Sequence, residues 1–140
     1  MAHSSELSVP TRGPGPVDVT DEIRRVVAAS GVRTGTCTIF VRHTSASLVI
    51  QENADPAVRR DLARWLEHQA PERPAFGAWE HDEEGPDDMP AHAKAALLHT
   101  SEVVPIVEGR LALGTWQGIY LWEHRTRPQS RKLVVVVLGD

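Results

Sequence analysis

The amino-acid sequence predicts an α+β fold with about three helices. The order of elements, with two helices in succession and the strands gathered at the end, does not fit regular βαβ repetition. Everything after Val103 reads as strand and turn. The closing run KLVVVVLG, residues 132–139, lacks the alternation of a half-exposed strand and should be covered on both faces. In a chain of 140 residues, such double cover hints that a second subunit supplies one face.

Residues 1–6 are polar and expected to fray, and RGPGP at 12–16 is a rigid turn segment. Thr20 is placed to cap a helix over residues 21–30. Asp21 and Glu22 sit at the positive end of its dipole, and Gly31 supplies the stop. TCTIFVR (36–42) and SLVIQ (47–51) are rich in branched residues and read as strands around the polar HTSAS interruption. Asp55 and Pro56 announce a second helix, as N-cap and first helical residue. Val58, Leu62, Trp65, Leu66 and Gln69 would share its buried side, with Pro71 as its end. Residues 71–88 are loop, and a third helix should run from near Pro90 through Leu98. VVPIV then leads through a turn at 108–110 to LALGTWQGIYLWEH, one long interrupted strand or two short ones.

Composition narrows the function. Hydrophobic content of 41% and charged content of 24% suit one globular domain spanning 1–140. A net charge of -4 leaves no basic surplus for a nucleic-acid partner. No stretch reaches membrane-spanning length, and MAHSSELSVP lacks the apolar core of a signal peptide. The single cysteine, Cys37, lies in an apolar run and reads as a buried structural thiol. A cytoplasmic location is expected.

The chemistry concentrates in WEHDEEGPDDMPAH, residues 79–92. Six of the nine residues from Glu80 to Asp88 are acidic, and His81 and His92 flank the run. Imidazoles and carboxylates together suit a divalent cation or a proton-transfer site. His43 with Thr44, Ser45 and Ser47 can line an anion pocket or form a polar turn. Asp55 has its duty as a cap, whereas Glu52 and Asn53 at a strand end do not. Period-2 alternation places Trp116, Gly118, Tyr120, Trp122 and His124 on one strand face, which could stack a flat heterocycle or simply pack. Arg125, Arg127, Arg131 and Lys132 form the basic concentration of the C-terminal region, enough for one phosphate.

Five blocks taken together carry a resemblance. They are HTSASL (43–48), ENADP (52–56), HDEEGPDDMPAH (81–92), the spacing from Ser101 through Val104, Ile106 and Gly109 to GTWQ (114–117), and EHR (123–125). They resemble the YjbQ family (UPF0047), and the likeness covers nearly the whole chain from about Arg12. The resemblance implies a YjbQ-like fold with a curved, mixed or antiparallel sheet, and a homotrimer. It also implies secondary thiamine-phosphate synthase activity, which joins a pyrimidine methyl diphosphate to a thiazole phosphate and releases diphosphate. His43, Ser45, Glu52, His81, Asp82, Asp88, His92, Gln117 and His124 match polar positions of the family. His99 does not, because glycine is usual there, and RGPGP is more proline-rich than the pattern.

From these matches, His43, His92, His124 and Glu52 are expected to be catalytic. Ser45, Ser47, Trp116, Gln117 and Arg125 are expected to bind substrate. A divalent metal would sit on His43, His81, His92, Asp82 and Asp88: magnesium if the carboxylates dominate, zinc if the histidines do. Two other readings keep the pocket: a metal-dependent hydrolase of a small phosphorylated molecule, and a non-catalytic trimeric metal- or ligand-binding module.

Overall fold

Residues Ala2–Pro10 form a strand, β1, so the polar start is not frayed. It pairs antiparallel with the last strand, Ser130–Gly139, from Ala2 opposite Leu138 to Pro10 opposite Ser130. Leu7 and Val9 are the side chains it adds to the core, too few to betray a strand in sequence. The structure is a computed structural model describing residues 1–140.

After β1 come β2 (Gly15–Asp18) and α1 (Thr20–Ser30). The RGPGP segment therefore ends in a short strand, and Pro16 is tolerated because β2 lies at a sheet edge. Thr20 is inside α1 and does not cap it: Asp18 Oδ1 accepts from the Thr20 amide (2.9 Å) and hydroxyl (2.6 Å). Gly31 closes α1 at φ 73°, in the left-handed region glycine favours. β3 (Gly35–Val41) and β4 (Ala46–Glu52) follow. Next is α2 (Pro56–Gln69), capped by Asp55, whose Oδ1 accepts the Ala57 amide at 2.9 Å. Its buried residue is Leu66, and Trp65 and Gln69 face solvent, so the packed side is narrower than the spacing implied. α3 (Asp88–Leu97) begins before Pro90, which occupies the first turn, where no amide donor is needed.

Four strands complete the chain. β5 (Ser101–Val107) and β6 (Arg110–Leu111) make a hairpin whose two turn residues, Glu108 and Gly109, both have positive φ. That is the turn form whose twist matches paired strands. The long segment after it resolves into β6 and β7 (Gln117–Glu123), and β8 (Ser130–Gly139) closes the fold.

All strand pairs are antiparallel. One sheet has the order β1-β8-β3-β5-β6, the other β2-β7-β4. A bridge between Leu48 and His99 ties the second sheet to the first, so the assembly curls on itself. The core lies between the sheets. Cys37, Ile39, Leu133, Val135 and Val137 face Leu48, Ile119 and Leu121, with Ile23 and Val27 of α1 packed against them. Each such side chain contributes about 1.5–3 kcal/mol on burial. Cys37 is an inert member, its thiol pushed up to about 11 by burial.

β8 is covered on one face only. Leu133, Val135 and Val137 are in the core, while Val134 and Val136 are half-buried on the outer face and Leu138 is exposed. Phe40, Val103 and Val107 are exposed beside them. The lack of alternation in the valine run thus reflects an apolar outer face that this chain leaves open.

Candidate functional site

β7 sets the frame. Its Ile119 and Leu121 enter the core, and Tyr120 and Trp122 are buried on the opposite face toward α2, with Arg59 stacked over the Tyr120 ring at 5.2 Å. The predicted aromatic face is therefore packing. Trp116 lies outside the strand and is 63% exposed.

At its C-terminal end, β7 delivers Glu123, His124 and Arg125. Glu123 is fully buried and pairs with buried Arg131, and it accepts the Thr11 hydroxyl at 2.6 Å. Its Oε2 also accepts the His124 and Arg125 amides, each at 3.1 Å, which fixes the backbone there. Burial would push this carboxyl up, but Arg131 and Thr11 outweigh it and hold it below the ordinary range.

Arg125 reaches from this anchored end into the 71–87 loop and the start of α3. Its Nε donates to Asp87 Oδ2 (2.9 Å), Nη1 to Asp88 Oδ1 (2.7 Å) and Nη2 to the Glu84 carbonyl (2.9 Å). Asp87 also accepts from the Thr126 amide and hydroxyl, at 3.0 and 3.1 Å. Against burial, those bonds pull the Asp87 carboxyl down to about 2.

The other oxygen of Asp88 meets two imidazoles. Oδ2 lies 2.6 Å from His81 Nε2 and 3.2 Å from His92 Nε2. Asp88 is 2% exposed, and His92 stands one helical turn beyond it on α3. Ligand atoms of the three residues fall within 4.8 Å of one another. Burial raises the Asp88 carboxyl, but the His81 bond, His92 and Arg125 together hold it low, and the His81 ring is raised by the same bond.

The far side of His92 decides what this arrangement means. His92 Nδ1 lies 3.0 Å from the Thr44 carbonyl oxygen, which can only accept, so Nδ1 carries the proton. In the neutral ring Nε2 then presents a lone pair to Asp88 Oδ2, another acceptor. The two repel unless a cation lies between them, either a second ring proton or a metal ion. A backbone carbonyl behind the imidazole is also how metal-bound histidines are held.

The remaining predicted site residues sit elsewhere. Asp82 is outside the three-residue group and lines an open cavity of about 550 Å³ with Trp79, Glu80, His81, Glu83 and Met89. His43 is also outside it: Nε2 accepts the Lys132 amide at 2.8 Å, and burial with Arg131 holds its ring below the ordinary value. Ser45 Oγ accepts from Arg131 Nη2 at 3.0 Å. Ser47 is buried 3.0 Å from His124 Nε2, and burial pushes that ring down to about 3.

Glu52 and Gln117 lie opposite each other at the other end of the β4–β7 pair, about 20 Å from Glu123 at 3.3 Å per residue. Glu52 Oε2 accepts the Ala54 and Asp55 amides, and Gln117 Oε1 accepts the Gly114 amide. The residues expected to form one site are thus divided between two ends. Sequence reading passes over Asp87, Thr126 and the Thr44 carbonyl. The Asp87-Asp88 doublet before a helix is the signal that could have found the first, and a carbonyl leaves none.

The molecule is therefore an α+β protein of two antiparallel sheets with a His–Asp–His cluster at one end of a strand pair. The family described as UPF0047 protein YjbQ-like matches residues 5–140, and the chain belongs to it. It is 53% identical over 138 residues to the UPF0047 protein sll1880 of Synechocystis, covering 99% of this chain and 92% of that one. It is 41% identical to UPF0047 protein YjbQ of Escherichia coli over the full length of both. A crystal structure of a YbjQ-like protein of unknown function from Sulfolobus solfataricus superposes with a TM-score of 0.90 at 29% identity, over 100% of this chain and 99% of that one. The fold is shared throughout, and no helix is long and apolar enough to cross a membrane.

Proposed function

We propose that this protein is a metal-dependent transferase for small phosphorylated heterocycles, with thiamine-phosphate synthesis as one of its reactions. The observation that carries the reading is the convergence of His81 Nε2 and His92 Nε2 on one oxygen of buried Asp88, at 2.6 and 3.2 Å. Two imidazoles and one carboxylate suit zinc or another transition metal better than magnesium, which would find a single oxygen ligand here. When bound, such an ion supplies charge neutralisation for a phosphorylated group.

The transfer breaks the carbon–oxygen bond to diphosphate, which leaves with the electron pair. It forms a carbon–nitrogen bond from the thiazole ring to the pyrimidine methylene. The chain's own contribution is to hold His81, Asp88 and His92 together beside the cavity and to exclude Ser47 and His124 from solvent. His124 is therefore a structural partner of Ser47 in this reading, and Arg125 is engaged by protein carboxylates. The open cavity beside the cluster supports a second reading, hydrolysis of a single phosphorylated substrate by water. Only the transferase requires both co-substrates for diphosphate release, so an assay with each omitted in turn separates the two. Saturable ligand binding without turnover would leave a binding module.

A homotrimer is part of the proposal. The open outer face of the five-stranded sheet, with Phe40, Val103, Val107 and Leu138 exposed, supports self-association. Light scattering should return three times 15.4 kDa, and a monomer would sink this part.

A further inference from the structure

We propose that Arg125, with Asp87 as its counter-charge, is the positioning residue of the His81–Asp88–His92 cluster; this rests on the metal reading above. Three contacts define the role. Arg125 Nη1 occupies Asp88 Oδ1 at 2.7 Å, so Asp88 offers a metal ion Oδ2 alone. Nη2 holds the Glu84 carbonyl at 2.9 Å, pinning the loop that carries His81. Nε binds Asp87 Oδ2 at 2.9 Å, and Thr126 holds that same oxygen. One guanidinium thus fixes a ligand carboxylate and the loop of a second ligand in a common frame. Lysine could not do this, because its three donors radiate from one nitrogen.

The counter-charge is as important as the contacts. A lone guanidinium beside Asp88 would repel a divalent cation. Paired with Asp87, at side-chain exposures of 17% and 13%, it forms a locally neutral unit. Arg125 therefore acts on the site through geometry as well as through the charge that helps hold Asp88 ionised. Its own aim comes from deeper in the fold: its amide donates to Glu123 Oε2, and Glu123 is locked by Arg131 and Thr11.

The test is a cobalt(II) titration of untagged protein, read by affinity and by visible absorption, which reports ligand geometry. The variants are Arg125→Gln combined with Asp87→Asn, which keeps net charge constant, and Arg125→Lys, which keeps both charges. The wild type should bind one cobalt ion with a resolved visible spectrum. The double variant should bind about 10- to 100-fold more weakly with an altered spectrum, the usual effect of removing support behind a ligand. Arg125→Lys should not recover the wild-type spectrum. Wild-type affinity and spectrum in the double variant would overturn the clamp while leaving the metal site standing. No stoichiometric cobalt in the wild type would overturn the metal reading and the clamp with it. Circular dichroism checks folding; should the double variant unfold, an unchanged affinity and spectrum in Arg125→Lys overturn the clamp equally.

Discussion

The two ends of the β4–β7 strand pair carry similar residues and use them differently. At the Ala46/Glu123 end, hydrogen bonds run between distant parts of the chain: His92 to Thr44 spans 48 positions and Arg125 to Asp88 spans 37. At the Glu52/Gln117 end, the side-chain carboxylate and amide are satisfied within three residues of themselves. A polar group satisfied in its own turn has been used for local architecture. One held by remote elements is free of that duty, and several such groups can converge. The first end thus gathers long-range polar contacts, and the second uses its polar groups for turn-capping.

The sharpest test compares one carboxylate from each end. On the metal reading, Asp88→Asn should weaken metal binding about 100-fold or more, since a first ligand outweighs the 10- to 100-fold cost of its supports. Glu52→Gln should leave metal content unchanged. Mass spectrometry of metal in untagged protein reads both, and metal loss in the Glu52 variant would break the distinction between the ends.

The next effect is on stability. Glu123→Ala leaves the buried Arg131 guanidinium without its carboxylate, and breaking a buried pair from one side costs about 3–5 kcal/mol. Chemical denaturation should show it as a lowered midpoint. A loss under 1 kcal/mol would mean that this end is not held as rigidly as its hydrogen bonds imply.

Much of the frame was legible in the sequence, because its signals are local. Asp55-Pro56 marked the start of α2, Gly31 the end of α1, and the branched runs marked β3 and β4. β1 was hidden because a strand pairing on its backbone needs few apolar side chains. The site was half legible. The acidic run with two histidines named His81, Asp88 and His92, but composition could not separate them from Asp82 or His43. That separation depends on which atoms long-range folding brings within a few ångströms. Arg125 was read as a phosphate binder because its carboxylate partners lie nearly forty positions away. The double cover expected of β8 is not met within the chain, because unbroken valines read the same whether the outer face is covered or, as here, half-buried and open.

A pH titration extends the comparison to the buried edge of the first end. Burial, then Lys94, push the His124 ring down to about 3, although Glu123 pulls the other way. The unfolded chain keeps the ordinary value near 6.5. Between those values the unfolded state binds a proton that the folded state refuses. Stability is therefore fully present above about pH 6.5 and falls as pH drops, by up to about 1.4 kcal/mol per unit. The measurement belongs between pH 6.5 and 4.5, before the low-lying carboxylates contribute. His124→Gln should reduce the slope, leaving the part that the likewise lowered His43 ring contributes. An unchanged slope would place the titrating group elsewhere.

The smallest effects belong to the second end. Glu52→Ala should cost about 1 kcal/mol, the value of exposed capping bonds. Trp116→Ala should shift stability by less than about 0.5 kcal/mol, because a ring 63% exposed supports little packing. The Trp116 variant carries the more useful second readout. If the exposed ring stacks a substrate heterocycle, its loss would raise KM at constant stability. If stability and KM are both unchanged, Trp116 is surface only. The second end would then be left with the capping bonds of Glu52 and Gln117 as its role.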